Sequence, residues 1–419
     1  MEMHETIASR VTALLIEPDF GQWDAKSSLA ELYALTRSAG AEPFGAVTQK
    51  RPSPDAATCV GRGIMEQVAN FCKEYNIDLL IFDCELSPTQ LRNIENISGV
   101  STVDRTMLIL HIFALNAKSR EGRLQAELAR LKYMLPRLSG QHGGLSRLGG
   151  GIGTRGPGES KLETDRRHIR RKIDSLKCQL EELEKRREQT SNRRKKEGII
   201  TVALVGYTNS GKSTLMNFLT NAGVLAEDRL FATLDPTARA LKLPCGERVM
   251  LIDTVGFLRR LPHQLIEAFH STLEMAASAD VILNVCDASN PEAPAHLKVT
   301  NDTLSSLGCT GQPIIPVLNK CDLVPEIKSM PMIGQAVRIS AKTGDGIDSL
   351  LNATEARLPI SDPIELLVPY SEATLTECIR SCSAVKKEEF TPEGCLLTAR
   401  IPHSLAGRVK KYIVKSSLR

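Results

Sequence analysis

Eight residues constrain this chain more than any other stretch. Gly206-Tyr207-Thr208-Asn209-Ser210-Gly211-Lys212-Ser213 follows directly on the apolar run Ile199-Ile200-Thr201-Val202-Ala203-Leu204-Val205. A buried strand that ends in Gly-x-x-x-x-Gly-Lys-Ser and opens a helix is a phosphate-binding loop. Its backbone N–H groups turn inward to cradle phosphate oxygens, helped by the positive end of the following helix, for which Thr214 to Leu219 is the candidate. Lys212 would reach the β- and γ-phosphates, the Ser213 hydroxyl would hold Mg²⁺, and Thr214 joins the nucleotide-contacting set.

Three further elements follow at the ends of apolar runs. Asp253-Thr254-Val255-Gly256 comes after Val249-Met250-Leu251-Ile252; Asp253 is placed to hold Mg²⁺ through water, and Gly256 to approach the γ-phosphate by its N–H. Asn319-Lys320-Cys321-Asp322 comes after Ile314 to Leu318. The Asp322 carboxylate can accept from N1–H and the exocyclic amine of guanine, a donor pair that adenine lacks, so GTP is selected over ATP. Ser340-Ala341-Lys342 comes next, with the Ala341 N–H expected on guanine O6. Between the first two elements, Phe231-Ala232-Thr233 should fold over the nucleotide, Thr233 closing on Mg²⁺ in preference to Thr237. Lys212, Thr233 and Gly256 are therefore the expected catalytic residues. Phe257 stands where many GTPases carry a glutamine that orients water, so intrinsic hydrolysis should be slow or depend on a supplied group. Asn209 has two readings: a ligand for K⁺ acting like an arginine finger, or a residue that stabilises the loop.

Composition limits the rest. The 419 residues suffice for roughly three domains, and 42% hydrophobic with 24% charged residues is ordinary for a globular chain. A net charge of +4 does not by itself imply nucleic acid, and 4% aromatics argue against broad base-stacking platforms. The eleven cysteines include no Cys-x-x-Cys, so a reducing compartment is expected rather than a zinc site or disulfide framework. No apolar stretch nears the roughly 18 residues of a membrane span. The start has neither a signal nor a transit pattern, which suggests the cytoplasm.

Periodicity divides the chain into an N-terminal α/β domain (1–105), an antiparallel helical hairpin (106–197), a P-loop domain with a mainly parallel sheet (198–359) and a small α+β appendix (360–419). In the first domain, strands are predicted at Val11–Ile16, Ala46–Gln49 and Leu79–Phe82. Helices are predicted at Ser28–Ser38, at Met65–Tyr75 and from Pro88, capped by Ser87. One long helical section carries Leu108, Ile112, Leu115, Leu124, Leu128, Leu131 and Leu135, and a second runs from about Ser160 to Lys196. In the appendix, a strand at Cys395–Ala399 and a helix at Ser404–Val414 are predicted. The loop Gly140–Glu159 is Gly-rich and contains Arg147 and Arg155.

That loop narrows the identification. Gly149-Gly-Gly-Ile-Gly-Thr-Arg-Gly-Pro-Gly-Glu159, followed by Leu162-Glu163-Thr164-Asp165-Arg166-Arg167, resembles the signature of the HflX family of ribosome-associated GTPases. So do Phe82 to Asn93, Asp104-Arg105-Thr106, Glu121 to Gln125 and Phe231 to Thr237. One departure is Gly61-Arg62-Gly63-Ile64, where family members often have Gly-Lys-Gly-Lys. The resemblance implies GTP hydrolysis to GDP and phosphate, stimulated by ribosomes, with a secondary ATPase activity. It also implies binding to the 50S large ribosomal subunit and its rRNA, and splitting or rescue of stalled or stressed ribosomes. A monomer is expected. Arg166, Arg167, Arg170, Arg171 and Lys172 at one end of the second helix, and Arg186, Arg187, Arg193, Arg194, Lys195 and Lys196 at the other, suit a phosphate backbone, although balancing glutamates also fit a solvated face. Two other readings stay open: a GTPase switch that gates protein partners away from the ribosome, and an RNA-remodelling NTPase that uses ATP and GTP.

Overall fold

The structure is a computed structural model. It describes residues 11–21, 24–140, 157–220, 231, 237–258, 260, 276–306, 308–309, 311–324, 336–361, 363–383 and 385–416. The chain forms two compact units. The first comprises Met1–Glu181 with Arg229–Phe231 and Leu261–Ala268; the second comprises Glu182–Asp228, Ala232–Arg260 and Phe269–Arg419.

The first unit begins with alternating strands and helices: β1 (Thr12–Asp19), α1 (Ala25–Ser38), β2 (Glu42–Lys50), α2 (Arg62–Tyr75), β3 (Leu79–Phe82), α3 (Pro88–Ser98) and β4 (Ser101–Asp104). The strands form a parallel sheet in the order β2-β1-β3-β4. The central strands read as unbroken apolar runs because helices cover the sheet, and Ala13 to Ile16 and Leu80 to Phe82 are all buried. The predicted start of α3 holds in detail. The Ser87 side chain accepts from the Gln90 N–H, the Gln90 side chain reaches back to the Ser87 N–H, and Pro88 stands first in the helix.

The long helical section predicted from Leu108 to Leu135 is two helices, α4 (Arg105–Asn116) and α5 (Arg120–Met134). Ala117 leaves the helical region, and Ser119 caps a new helix by accepting from the Gly122 N–H at 2.8 Å, which ends one run and starts another. Helix α6 (Pro157–Lys196) packs on α5. Leu124, Leu128, Leu131 and Leu135 meet Ile169, Ile173, Leu176 and Leu180, with Glu127 paired to Lys172 and Arg120 facing Gln179, which sets the two helices antiparallel.

The second unit holds β5 (Ile200–Gly206), α7 (Lys212–Thr220), β6 (Thr237–Lys242), β7 (Arg248–Asp253), β8 (Val281–Asp287), α8 (Ala293–Ser306), β9 (Ile314–Asn319), β10 (Val337–Arg338) and α9 (Ile347–Glu355). Its sheet runs β10-β9-β8-β5-β7-β6, parallel except for the edge strand β6. Strand β5 is the topological switch point: the chain winds to one side of it through β7 and to the other through β8. In an open α/β sheet that crevice is where ligands bind, and β5 ends in Gly206.

The unit closes with β11 (Ile364–Val368), α10 (Ala373–Cys382), β12 (Val385–Thr391), β13 (Gly394–Ala399), α11 (His403–Val409) and β14 (Ile413–Ser416). These strands make a second, antiparallel sheet in the order β12-β13-β11-β14. The predicted C-terminal helix stops at Val409, and Ile413–Ser416 returns to pair with β11.

Candidate nucleotide-binding site

The loop from Tyr207 to Gly211 joins β5 to α7, as its sequence requires. Asn209 takes a positive φ of 60°, which asparagine tolerates better than most residues, and its side chain faces solvent. Gly211 has φ +90°, and a Cβ there would lie 2.2 Å from Asn319 Nδ2. Only glycine lets Asn319 approach so closely. Asn319 uses that room: its Nδ2 donates to the Ser210 carbonyl and its Oδ1 accepts from the Ala341 N–H, both at 2.9 Å. This side chain ties the phosphate loop to the Ser340-Ala341-Lys342 turn. The Ala341 N–H, expected on guanine O6, is thus engaged by Asn319.

Lys212 lies at the start of α7, buried, with Nζ donating to the Gly206 carbonyl at 3.0 Å and the Tyr207 carbonyl at 2.8 Å. Burial pushes its ammonium down to about 8, opposed by the carboxylate of Asp253. Asp253 closes β7 at 0% exposure; burial raises its carboxyl, while Lys212 and the Ser213 hydroxyl pull it down. Ser213 Oγ donates to Asp253 Oδ2 at 2.8 Å. Asp253 Oδ1 is buried with no hydrogen-bond partner among the described residues. A hydroxyl and an unpartnered carboxylate oxygen side by side are the hard donors that Mg²⁺ takes, so Ser213 and Asp253 fit that ion. The hydroxyls of Thr208 and Ser210 are likewise buried and unpartnered among the described residues, and both lie in the loop that should face phosphate.

The segment after Asp253 is zipped to the phosphate loop. The Thr254 hydroxyl donates to the Leu204 carbonyl at 2.7 Å, the Phe257 N–H to the Gly206 carbonyl at 3.0 Å, and the Thr208 N–H to the Phe257 carbonyl at 2.8 Å. Val255 and Phe257 are buried. Gly256 is held so tightly that a Cβ would fall 2.7 Å from Thr208 Cγ2 and 3.1 Å from Lys212 Nζ.

At the base end, Lys320 has φ +62° and Nζ 2.7 Å from Asp287 Oδ2. Asp322 sits exposed in the turn Cys321–Leu323, and Lys342 is exposed while Ser340 is buried. Ser340 Oγ accepts from the Thr343 N–H. The expected residues thus converge on the ends of β5, β7 and β9 and on the turn after β10. Ala232 and Thr233 lie outside the described residues. Phe231 is placed in the first unit, ring to ring with Phe113 at 4.5 Å, and its carbonyl accepts from Asn116 Nδ2 at 2.9 Å.

Two site residues escape sequence reasoning. Asp287 anchors Lys320, and its signal is a carboxylate closing an apolar strand, as Asp253 does. His296 of α8 stacks flat on Tyr207, 3.8 Å between ring centroids at 2°; a single histidine 89 positions away carries no local signal of that contact.

Three family sequence models match the chain: "GTP-binding GTPase N-terminal" over residues 26–114, "GTP-binding GTPase Middle Region" over 116–194, and "50S ribosome-binding GTPase" over 201–320. A protein named GTPase HflX from Caldanaerobacter subterraneus subsp. tengcongensis is 47% identical over 390 residues, covering 93% of this chain and 91% of its own length. Another GTPase HflX, from Escherichia coli K12, is 39% identical and covers 93% of both. Among solved structures, a GTP-binding protein from the archaeon Sulfolobus solfataricus in complex with GDP is similar at 26% identity, covering 82% of this chain and 97% of that one, with a TM-score of 0.44.

Proposed function

This chain belongs to the HflX family of GTPases, and from that premise we propose that it hydrolyses GTP in a cycle that governs its attachment to the large ribosomal subunit, splitting or rescuing stalled ribosomes. The observation that carries the nucleotide half is the convergence of Lys212, the Ser213–Asp253 pair and the Asn319 tie at the switch point of the sheet. There the phosphate loop binds and orients the triphosphate, with Lys212 neutralising its charge. Ser213 and Asp253 would hold Mg²⁺, which supplies charge neutralisation at the β- and γ-phosphates. Asp322, exposed and acceptor-only, selects guanine.

The ribosomal half is supported by the family and by the basic clusters of α6, whose side chains at Arg167, Arg170 and Arg171 are exposed. The Gly149–Gly158 loop, which lies mostly outside the described residues, is proposed as the part that senses rRNA. Pelleting with purified large subunits tests the claim: co-sedimentation should be strong with a non-hydrolysable GTP analogue and weak with GDP. Equal, background-level pelleting in both would reject ribosome attachment, while GTP turnover could survive. Deleting 149–158 should spare GTP binding and remove ribosome-stimulated turnover. Comparing turnover in K⁺ and Na⁺ decides the role of Asn209; equal rates leave it a loop-forming residue.

A further inference from the structure

Two cysteines of the first unit lie side by side. Cys59 Sγ and Cys84 Sγ are 3.3 Å apart, with either thiol able to donate to the other. They come from different connections of the domain: Cys59 lies between β2 and α2, and Cys84 follows β3. Both backbones are pinned. The Cys59 N–H donates to the Asp55 carbonyl and its carbonyl accepts from the Asp55 N–H, closing a five-residue loop in which Cys59 takes φ +67°. That loop is held to α3, with Gln90 Nε2 on the Asp55 carbonyl at 2.7 Å and Asn93 Nδ2 on the Ala57 carbonyl at 3.0 Å. On the other side, the Cys84 carbonyl accepts from the Arg105 N–H, and the preceding Asp83 is ion-paired with the Arg105 guanidinium.

We propose that Cys59 and Cys84 are a modification site that closes to a reversible intramolecular disulfide when the protein meets a peroxide. The sulfurs need to approach by only about 1.3 Å to reach bonding distance of ~2.05 Å. The pair shares a proton unevenly. The Cys84 S–H donated to the Cys59 sulfur, helped by Arg51, holds Cys59 below the usual thiol value against burial, and the same bond pushes Cys84 up. The direction of that shift makes Cys59 the nucleophile although it is buried, and the half-buried Cys84 beside it is the side from which a small oxidant enters. The Cys59 thiolate attacks one oxygen of hydrogen peroxide; the O–O bond breaks, hydroxide leaves and is protonated to water, and the sulfur becomes a sulfenic acid. The Cys84 sulfur then attacks that sulfur; the S–O bond breaks, and the departing hydroxide takes the Cys84 proton as a second water. Two electrons pass from the thiols to the peroxide.

Trypsin separates the two thiols, onto peptides 51–62 and 74–92, each with no other cysteine. The full-length protein is treated with hydrogen peroxide, alkylated and digested without reductant. The expected product is those two peptides joined, two hydrogens lighter than their sum, released by dithiothreitol. Cys59→Ser should abolish the joined species, and Cys178→Ser, which removes an exposed thiol, should leave its yield unchanged. Recovery of both peptides fully alkylated, while Cys178 is oxidised, would overturn the proposal and leave the pair a buried hydrogen bond. So would a joined species that vanishes in Cys178→Ser.

Discussion

Asn319 is the residue through which the phosphate loop and the guanine-side turn are held together, so its removal should cost more than a lost side chain at the base would suggest. It is 2% exposed and makes one bond to each partner, Nδ2 to the Ser210 carbonyl and Oδ1 from the Ala341 N–H. Asn319→Ala leaves a buried carbonyl and a buried N–H unmet. Each such group costs about 1–3 kcal/mol, and relaxation of the two loops toward water favours the lower half, so a total of about 2–3 kcal/mol is expected. If that loss falls on the nucleotide-bound form, GDP affinity drops ~30- to 150-fold. Asn319→Asp is the sharper test. It keeps the acceptor for Ala341 but sets a carboxylate oxygen against the Ser210 carbonyl, so it should be as damaging as alanine despite its matched shape. A fluorescent GDP analogue titrated into each variant, with thermal melting alongside, reads both effects. Affinities within about threefold of the parent, ~0.6 kcal/mol, with unchanged melting, would show that the tie carries no load.

Gly256→Ala should force open the pairing of Tyr207 with Phe257, since its Cβ would meet Thr208 Cα at 2.8 Å. We expect a stability loss of about 1–3 kcal/mol and slower single-turnover hydrolysis, and wild-type rates would refute the tight fit. Lys212 titrates at about 8 in the fold against 10.5 for the free side chain. The folded chain therefore binds fewer protons than the unfolded one between those values, and stability rises with pH across that window. Phosphate recharges the lysine, so nucleotide binding should take up close to one proton near pH 9 and almost none near pH 7, with affinity weakening above about pH 8. Calorimetry in buffers of different ionisation heat counts the protons, and equal uptake at both pH values contradicts the burial argument. Phe231→Ala and Phe113→Ala should each destabilise the first unit by about 3–4 kcal/mol, and the double variant by clearly less than the sum. Additive losses in denaturant unfolding would show that the two rings do not act as a pair.

The parts of this molecule that were legible in the sequence are those whose chemistry is local. Ser87 and Pro88 announce α3 because a helix start carries its cap and first residue side by side, and Gln90 completes the box in the fold. The four nucleotide elements are legible because each sits where an apolar strand ends. What was hidden depends on tertiary neighbours. Strand β12, Val-Lys-Lys-Glu-Glu-Phe-Thr, has five consecutive exposed residues and no alternation, and it is a strand only because β13 pairs with it. Ser101-Thr102-Val103-Asp104 is polar by composition, yet Asp104 is buried where Tyr133, Met107, Leu86 and Arg137 converge on its carboxylate. The break between α4 and α5 hinges on Ser119 acting as a cap, which a run of leucines at helical spacing conceals.

Phe257 decides what kind of catalyst this site can be. Its N–H and carbonyl are both committed to the phosphate loop, and its ring is 1% exposed. The backbone at this position is therefore a clamp, and the side chain is buried in packing rather than free to orient a water. Restoring the glutamine found in many GTPases should not restore their rate. Phe257→Gln places an amide in an apolar site, which costs ~1–3 kcal/mol when left unpaired, and adds the loss of aromatic packing, together about 3–5 kcal/mol of stability. Hydrolysis without a partner should stay at the parental rate or fall. A rise of tenfold or more, ~1.4 kcal/mol off the barrier, with the melting temperature preserved, would mean that the side chain can reach the water after all. A parental or lower rate places the missing catalytic group outside this position, the outcome that the proposed stimulation by the large ribosomal subunit requires.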